Sequence, residues 1–255
     1  MWVDQVFDQE TRQYPNTLSN RQDPSWSRSA EQDDLKRAAA EKALELVRDG
    51  MLLGLGSGTT SRYFVEGVGR LVADGMKVRG VPTSRATAEL AAANGIAVVE
   101  EIVGQIDLAV DGADEVDPSL SLIKGRGGAL FREKLVAAAS KRFVVVVDES
   151  KVVKRLGAGV LPVEVLPFLW RTTAERLADL CSGLKIRGGE EEPYVTDNGN
   201  LILDLSFEDG IADASSLGSV LKAVTGVVEH GLFIGTAAEC IVGGPNGPRV
   251  LTRPV

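Results

Sequence analysis

The chain has 255 residues, 44% hydrophobic and 25% charged, enough for one large domain or a main domain with a smaller inserted one. A formal net charge of −8 excludes broad attraction to nucleic acid or anionic lipid, so any phosphate ligand must be held by local groups against the overall sign. Cys181, Cys240 and the single His230 show no zinc-ligand spacing and no GxSxG elbow is present, which argues against a zinc site and a Ser-His-Asp triad.

Residues 1–28 are polar, with Asp4, Asp8, Glu10 and Asp23, and carry neither the apolar core of a signal peptide nor the acid-poor composition of a transit peptide. They are expected to be a loosely attached extension of a cytoplasmic protein, and no apolar run is long enough for a bilayer. Ser29 with Gln32 reads as a capping box, followed by Leu35, Ala38, Ala39, Ala43, Leu46 and Val47 at helical spacing up to Gly50. Met51–Leu55 reads as a buried strand, then a glycine-rich turn into a helix. Strands are expected at Lys77–Val81, Ile96–Val99, Ile106–Val110 and Leu120–Ile123, and helices at Ala86–Asn94 and Leu130–Lys141. The apolar run Phe143–Val147 predicts a central strand covered on both faces. This alternation predicts an α/β fold, a mostly parallel sheet with flanking helices, whose ligands bind at the carboxyl ends of strands.

Beyond Leu161-Pro162 the pattern changes. Strands at Val163–Val165, Leu184–Arg187, Tyr194–Thr196, Leu201–Leu205 and Val227–Phe233, with helices at Thr172–Leu180 and Asp213–Val224, follow the order of a smaller ferredoxin-like α+β domain. Asn198-Gly199 is a strong hairpin signal, and Cys240-Ile241-Val242 is placed back in the main sheet. The expected division is 1–28 extension, 29–160 with 236–255 as the α/β catalytic domain, and 161–235 as the ferredoxin-like domain.

Four polar clusters fall at predicted strand ends. Ser57, Gly58, Thr59 and Thr60 follow Gly54-Leu55-Gly56, and their hydroxyls and backbone at a helix N-terminus suit a phosphate. The pattern is neither the dinucleotide fingerprint, since Thr59 replaces its third glycine, nor a Walker loop. Asp111-Gly112-Ala113-Asp114-Glu115-Val116-Asp117 fails the calcium-loop spacing; it suits sugar hydroxyls, or else merely caps the next element. Lys124-Gly125-Arg126-Gly127-Gly128 brings backbone N–H groups and an ammonium to one anionic centre, with Glu133 a short way into the next helix. Asp148-Glu149-Ser150-Lys151 ends the most apolar strand. Together they offer one base, cations and anion donors, the set that proton abstraction beside a carbonyl requires.

These clusters resemble the type A ribose-5-phosphate isomerases, in the same order and at similar intervals from about Glu31 to the C-terminus. DGADEVD, KGRGGALFREK and VDESK carry the likeness. The resemblance implies an aldose–ketose isomerase working through an enediolate on a sugar phosphate, with no metal or cofactor, as a homodimer or homotetramer. It implies Ser57–Thr60 as the phosphate loop, Asp111, Gly112, Ala113 and Asp114 as the substrate loop, and Lys124, Gly125, Arg126 and Gly127 as the lysine-glycine loop. Arg126 is carried over for its backbone only. Glu133 is implied as proton acceptor, Asp111 as ring-opening acid/base, Lys124 as enediolate stabiliser, Lys151 as a further substrate lysine, and Lys36 as a basic residue near the phosphate. Rival readings are a CoA transferase, for which the chain is short, a glucosamine-phosphate deaminase, whose histidine placement is missing, and a non-catalytic sugar-phosphate sensor.

Overall fold

The computed structural model describes residues 24–253; of the expected extension, residues 1–23 lie outside the described residues. Helix α1 spans Pro24–Leu44. The expected capping box is therefore corrected: Ser29 lies inside the helix, which already runs from Pro24. Ala39, Ala40 and Ala43 are its buried stripe, and Val47 is buried just beyond its end.

The chain then runs β1 (Leu52–Leu55), α2 (Thr59–Ala73), β2 (Arg79–Pro82), α3 (Arg85–Ala93), β3 (Ala97–Val98) and β4 (Leu108–Asp111). Next come β5 (Glu115–Val116), β6 (Leu122–Ile123), α4 (Leu130–Ala138), β7 (Phe143–Asp148) and a 3-10 turn at Glu149–Lys151. The rest is β8 (Leu161–Val165), α5 (Trp170–Ala178), β9 (Gly183–Ile186), β10 (Leu201–Ser206), α6 (Ala214–Ala223), β11 (Val227–His230), β12 (Leu232–Phe233), β13 (Glu239–Gly243) and β14 (Arg249–Thr252).

The main sheet has the order β14-β13-β7-β4-β1-β2-β3 and is parallel except at β14. Strand β7 is buried throughout, as its unbroken apolar run requires. Its alternate residues face opposite layers: Val144 and Val146 pack towards α1 and α2, while Phe143, Val145 and Val147 join Phe233 and Val136. The chain moves from β1 outward through β2 and β3, then returns to β4 on the other side of β1. That reversal opens a crevice between the carboxyl ends of β1 and β4.

A second sheet, antiparallel in the order β11-β8-β10-β9, has α5 and α6 as its crossovers, the ferredoxin-like arrangement. Three expected strands change. Leu120, at φ 59, is left-handed and cannot continue a strand, so β6 starts at Leu122. Tyr194–Thr196 reduces to a single Val195–Leu201 bridge, because the Thr196 hydroxyl accepts from the N–H groups of Asn198 and Asn200 and tightens the turn. The strand expected across Val227–Phe233 breaks at Gly231. Its second half crosses into a three-stranded sheet, β12-β6-β5, that the sequence did not reveal. A side chain at Gly231 has no room: a Cβ there would lie 2.3 Å from the Lys124 carbonyl oxygen. Gly231 instead accepts the Lys124 N–H at 2.9 Å, which fixes where that lysine enters the crevice.

Candidate active site

The four clusters meet in a cleft of about 120 Å³ at this crevice. Residues 57–60 form one wall, Gly112, Ala113 and Asp114 the second, Lys124, Gly125, Gly127 and Glu133 the third, with Lys151 at the rim. Strand ends supply the first two walls, and α4 carries Glu133 in its first turn.

Lys124 is the hub. Its Nζ lies 3.0 Å from Asp111 Oδ2 and 3.4 Å from Glu133 Oε2, and all three side chains are buried. Burial pulls the ammonium pKa down, but Asp111 and Glu133 outweigh it, so Lys124 is held above the usual lysine value. Burial is also the largest influence on Glu133 and pushes its carboxyl up to about 8; Lys124 opposes this, while Asp111 and Asp114 add to it. Glu133 Oε2 has no hydrogen-bond partner among the described residues. A carboxyl that is buried, raised in pKa and held at Oε2 only by the Lys124 ion pair is suited to take a proton near neutral pH.

Asp111 lies beneath the floor of the cleft rather than in its wall. Its Oδ1 accepts from Ser57 N at 3.1 Å, Ser61 Oγ at 2.9 Å and Gly112 N at 2.7 Å. Gly56 makes this possible, since a Cβ there would sit 2.1 Å from that same oxygen. Ser61 is a residue the sequence reading missed; it is fully buried on α2 and also accepts from Gly112 N at 3.0 Å. Its position one residue past the Thr59-Thr60 pair was the only signal available.

The other expected residues divide. Thr59 and Thr60 open α2 directly after Gly58, its N-cap, so the first unpaired N–H groups of that helix face the cleft. Ser57 lines the cleft, but its hydroxyl meets those of Thr83, Ser84 and Thr87 at 2.8, 2.7 and 3.0 Å, tying the loop to the start of α3. Of the four acids, Asp114 is in the wall and accepts the Arg126 N–H at 2.9 Å. Glu115 turns away and accepts from Gly157 N at 2.7 Å, and Asp117 accepts from Ser119 N at 2.9 Å. Asp117 is the capping acid of the blander reading, whereas Glu115 is buried and holds the Gly157–Gly159 backbone some forty residues on. The Arg126 guanidinium points to Glu115 at 3.7 Å, so only its backbone adjoins the site. Lys36 pairs with Asp33 at 3.0 Å and is not among the cleft-lining residues. No group of three or more His, Cys, Asp and Glu among the described residues could hold a metal ion.

Residues 79–247 match the family model for ribose 5-phosphate isomerase A, also called phosphoriboisomerase A. The chain belongs to this family. A ribose-5-phosphate isomerase A from Rhodopseudomonas palustris is 48% identical over 230 residues, covering 87% of this chain and 99% of that protein. A probable chloroplastic ribose-5-phosphate isomerase of Arabidopsis thaliana is 46% identical over 232 residues, 87% of this chain and 84% of its own length. A solved D-ribose-5-phosphate isomerase in complex with phospho-erythronic acid superposes with a TM-score of 0.83 at 39% identity, covering 87% of this chain and 99% of that one. The Plasmodium falciparum enzyme gives 0.83 at 37%, covering 88% and 100%. The chain is an isomerase that interconverts ribose 5-phosphate and ribulose 5-phosphate, and the three rival readings fall away. The mainly parallel sheet with its antiparallel companion is the fold of these relatives.

Proposed function

We propose that the interconversion runs through an enediolate, with Glu133 as the single base. The observation that carries this reading is the Glu133 carboxyl, buried in the cleft wall with Oε2 ion-paired to Lys124 at 3.4 Å and hydrogen-bonded to no other described group. With the phosphate on Thr59, Thr60 and the α2 N-terminus, and Lys151 at the rim, the open-chain aldose extends towards Lys124. Glu133 removes the C2 proton as the carbonyl electrons move to O1; the Lys124 ammonium gives a proton to O1 and regains one from the O2 hydroxyl, and as the O2 carbonyl forms the protonated Glu133 carboxyl delivers its proton to C1. Lys124 and the backbone N–H of the 125–127 loop balance the oxyanion charge. Asp114 accepts from sugar hydroxyls. Asp111 serves ring opening through Lys124, whose ammonium lies between that carboxylate and the cleft and can pass a proton from one to the other.

The same reading extends to the whole chain: a cytoplasmic homo-oligomer, dimer or tetramer, that binds neither nucleic acid nor membrane. Support is the net charge of −8 and the finding that no helix among the described residues is long and apolar enough to cross a membrane. The division into 29–160 with 236–255 and 161–235 draws support from the second sheet's own core around Leu161, Val163, Leu203 and Leu221. The direct test is ketopentose formation from ribose 5-phosphate before and after dialysis against a strong chelator. Turnover should be unchanged; loss restored by a divalent cation would defeat the metal-free scheme. Thr60→Val removes a hydroxyl facing the phosphate while keeping shape. Steady-state assays should show KM rising with kcat nearly constant, since a remote contact acts alike on ground and transition states.

A further inference from the structure

The 125–127 loop is aimed from outside the cleft. Three consecutive carbonyl oxygens, those of Gly125, Arg126 and Gly127, accept from side chains of the ferredoxin-like unit. Arg187 Nη1 donates to the first two, each at 3.0 Å, and Tyr194 Oη donates to the third at 3.4 Å. Arg187 is itself fixed by Asp204 on β10, through Nε to Oδ2 at 2.9 Å and Nη2 to Oδ1 at 2.5 Å. A trans peptide points its C=O and the following N–H in opposite directions. Holding the Gly125 and Arg126 oxygens on the Arg187 side therefore turns the N–H groups of Arg126 and Gly127 to the other side. The Arg126 N–H reaches Asp114 in the cleft wall at 2.9 Å. The Gly127 N–H has no acceptor among the described residues, and Gly127 lines the cleft.

We infer that Arg187, locked by Asp204, is a positioning residue for the reaction: it clamps the Gly125 and Arg126 carbonyls so that the Gly127 N–H is presented to the oxyanion of the intermediate. This rests on the enediolate reading of the loop. Arg187 touches no reacting atom, and one nitrogen serving two carbonyls while Nε and Nη2 pair a carboxylate is a geometry lysine cannot reproduce. The Gly125–Arg126 plane is also held by Gly128 N–H at 3.0 Å and by Asp114, but without the clamp the Arg126–Gly127 plane can rotate, and its donor is lost from the transition state more than from the ground state.

The test uses the full-length enzyme with Arg187→Met, Arg187→Lys and, as a gentler variant, Asp204→Asn, each checked for a cooperative melt. Arg187→Met should lower kcat about 10- to 100-fold, below the full worth of an oxyanion donor, with KM within about two-fold. Arg187→Lys and Asp204→Asn should fall between it and the parent. Inhibition by 4-phosphoerythronate, whose carboxylate mimics the enediolate, is compared with erythritol 4-phosphate, which lacks that charge, and with inorganic phosphate. The parent should prefer the carboxylate, and Arg187→Met should lose that preference by about the factor lost in kcat, with phosphate inhibition unchanged. A parent without the preference would sink the enediolate reading of the loop itself. A parent that discriminates, with folded Arg187 and Asp204 variants that discriminate and turn over equally well, would overturn the inference alone, as would equal weakening of all three inhibitors.

Discussion

Glu133→Gln should lose about 10²- to 10⁴-fold in kcat, the usual worth of a positioned base, and should nevertheless melt at a higher temperature than the parent around and above neutral pH. The two outcomes share a cause. The Glu133 carboxyl is buried and raised from an ordinary 4.5 to about 8. Below 4.5 it is neutral in both folded and unfolded chains and costs nothing. Between 4.5 and about 8 folding must take up a proton that the unfolded chain has released, so the parent loses stability as pH rises, at about 1.4 kcal/mol per unit for one such group. Above 8 the cost stays constant. The glutamine variant is spared it, so its advantage should grow from pH 5 to 8, reach a few kcal/mol and level off. Melts at pH 5, 7 and 9 check this; a difference independent of pH would show that burial does not govern this carboxyl. In the parent the base must be ionised, so kcat/KM should rise with pH through about 8.

That carboxyl also shows what the sequence could and could not convey. The clusters, their order and the strand ends that bear them were legible, because apolar periodicity and glycine-rich turns report local structure directly. Glu133 itself sits in the first turn of an ordinary-looking helix, and the sequence left open whether burial or the neighbouring lysine would set its pKa. Burial wins: Glu133 is 6% exposed, on a helix that packs beside a β12–β6 crossing made possible by Gly231, whose role is a close approach between segments over a hundred residues apart. Ser61, Arg187 and Asp204 were missed for the same reason. Ser61 and Arg187 act on partners fifty or more residues away, and Asp204 acts across the β9–β10 pair, 17 residues from Arg187; no spacing rule carries such contacts. The capping box at Ser29 failed differently: a sound local signal lost to a helix that begins earlier, at Pro24.

Lys124→Met should be the most damaging single change for stability and among the most damaging for turnover. The ammonium is 2% exposed and sits 3.0 Å from Asp111 and 3.4 Å from Glu133. Methionine keeps the unbranched stem, one atom shorter, and deletes the charge, leaving two buried carboxyls without their shared cation. Removing one partner of a buried ion pair costs about 3–5 kcal/mol. Here the loss has an outlet, since Glu133 can take a proton: Lys124 holds its pKa down, so deleting Lys124 drives it further up. Destabilisation should therefore be smaller at pH 6 than at pH 9, which paired melts of parent and variant can read. In kinetics the same substitution removes a donor to charge that develops only in the transition state, so kcat and kcat/KM should fall together, by about 10²- to 10³-fold. The rise of kcat/KM with pH should also move to higher pH, because the base is harder to ionise. Thr60→Val supplies the contrast from the far end of the same cleft. If Lys124→Met raised mainly KM while Thr60→Val lowered mainly kcat, the enediolate would lie against the 57–60 loop and the phosphate against Lys124, and the substrate would have to run through the cleft in the opposite direction.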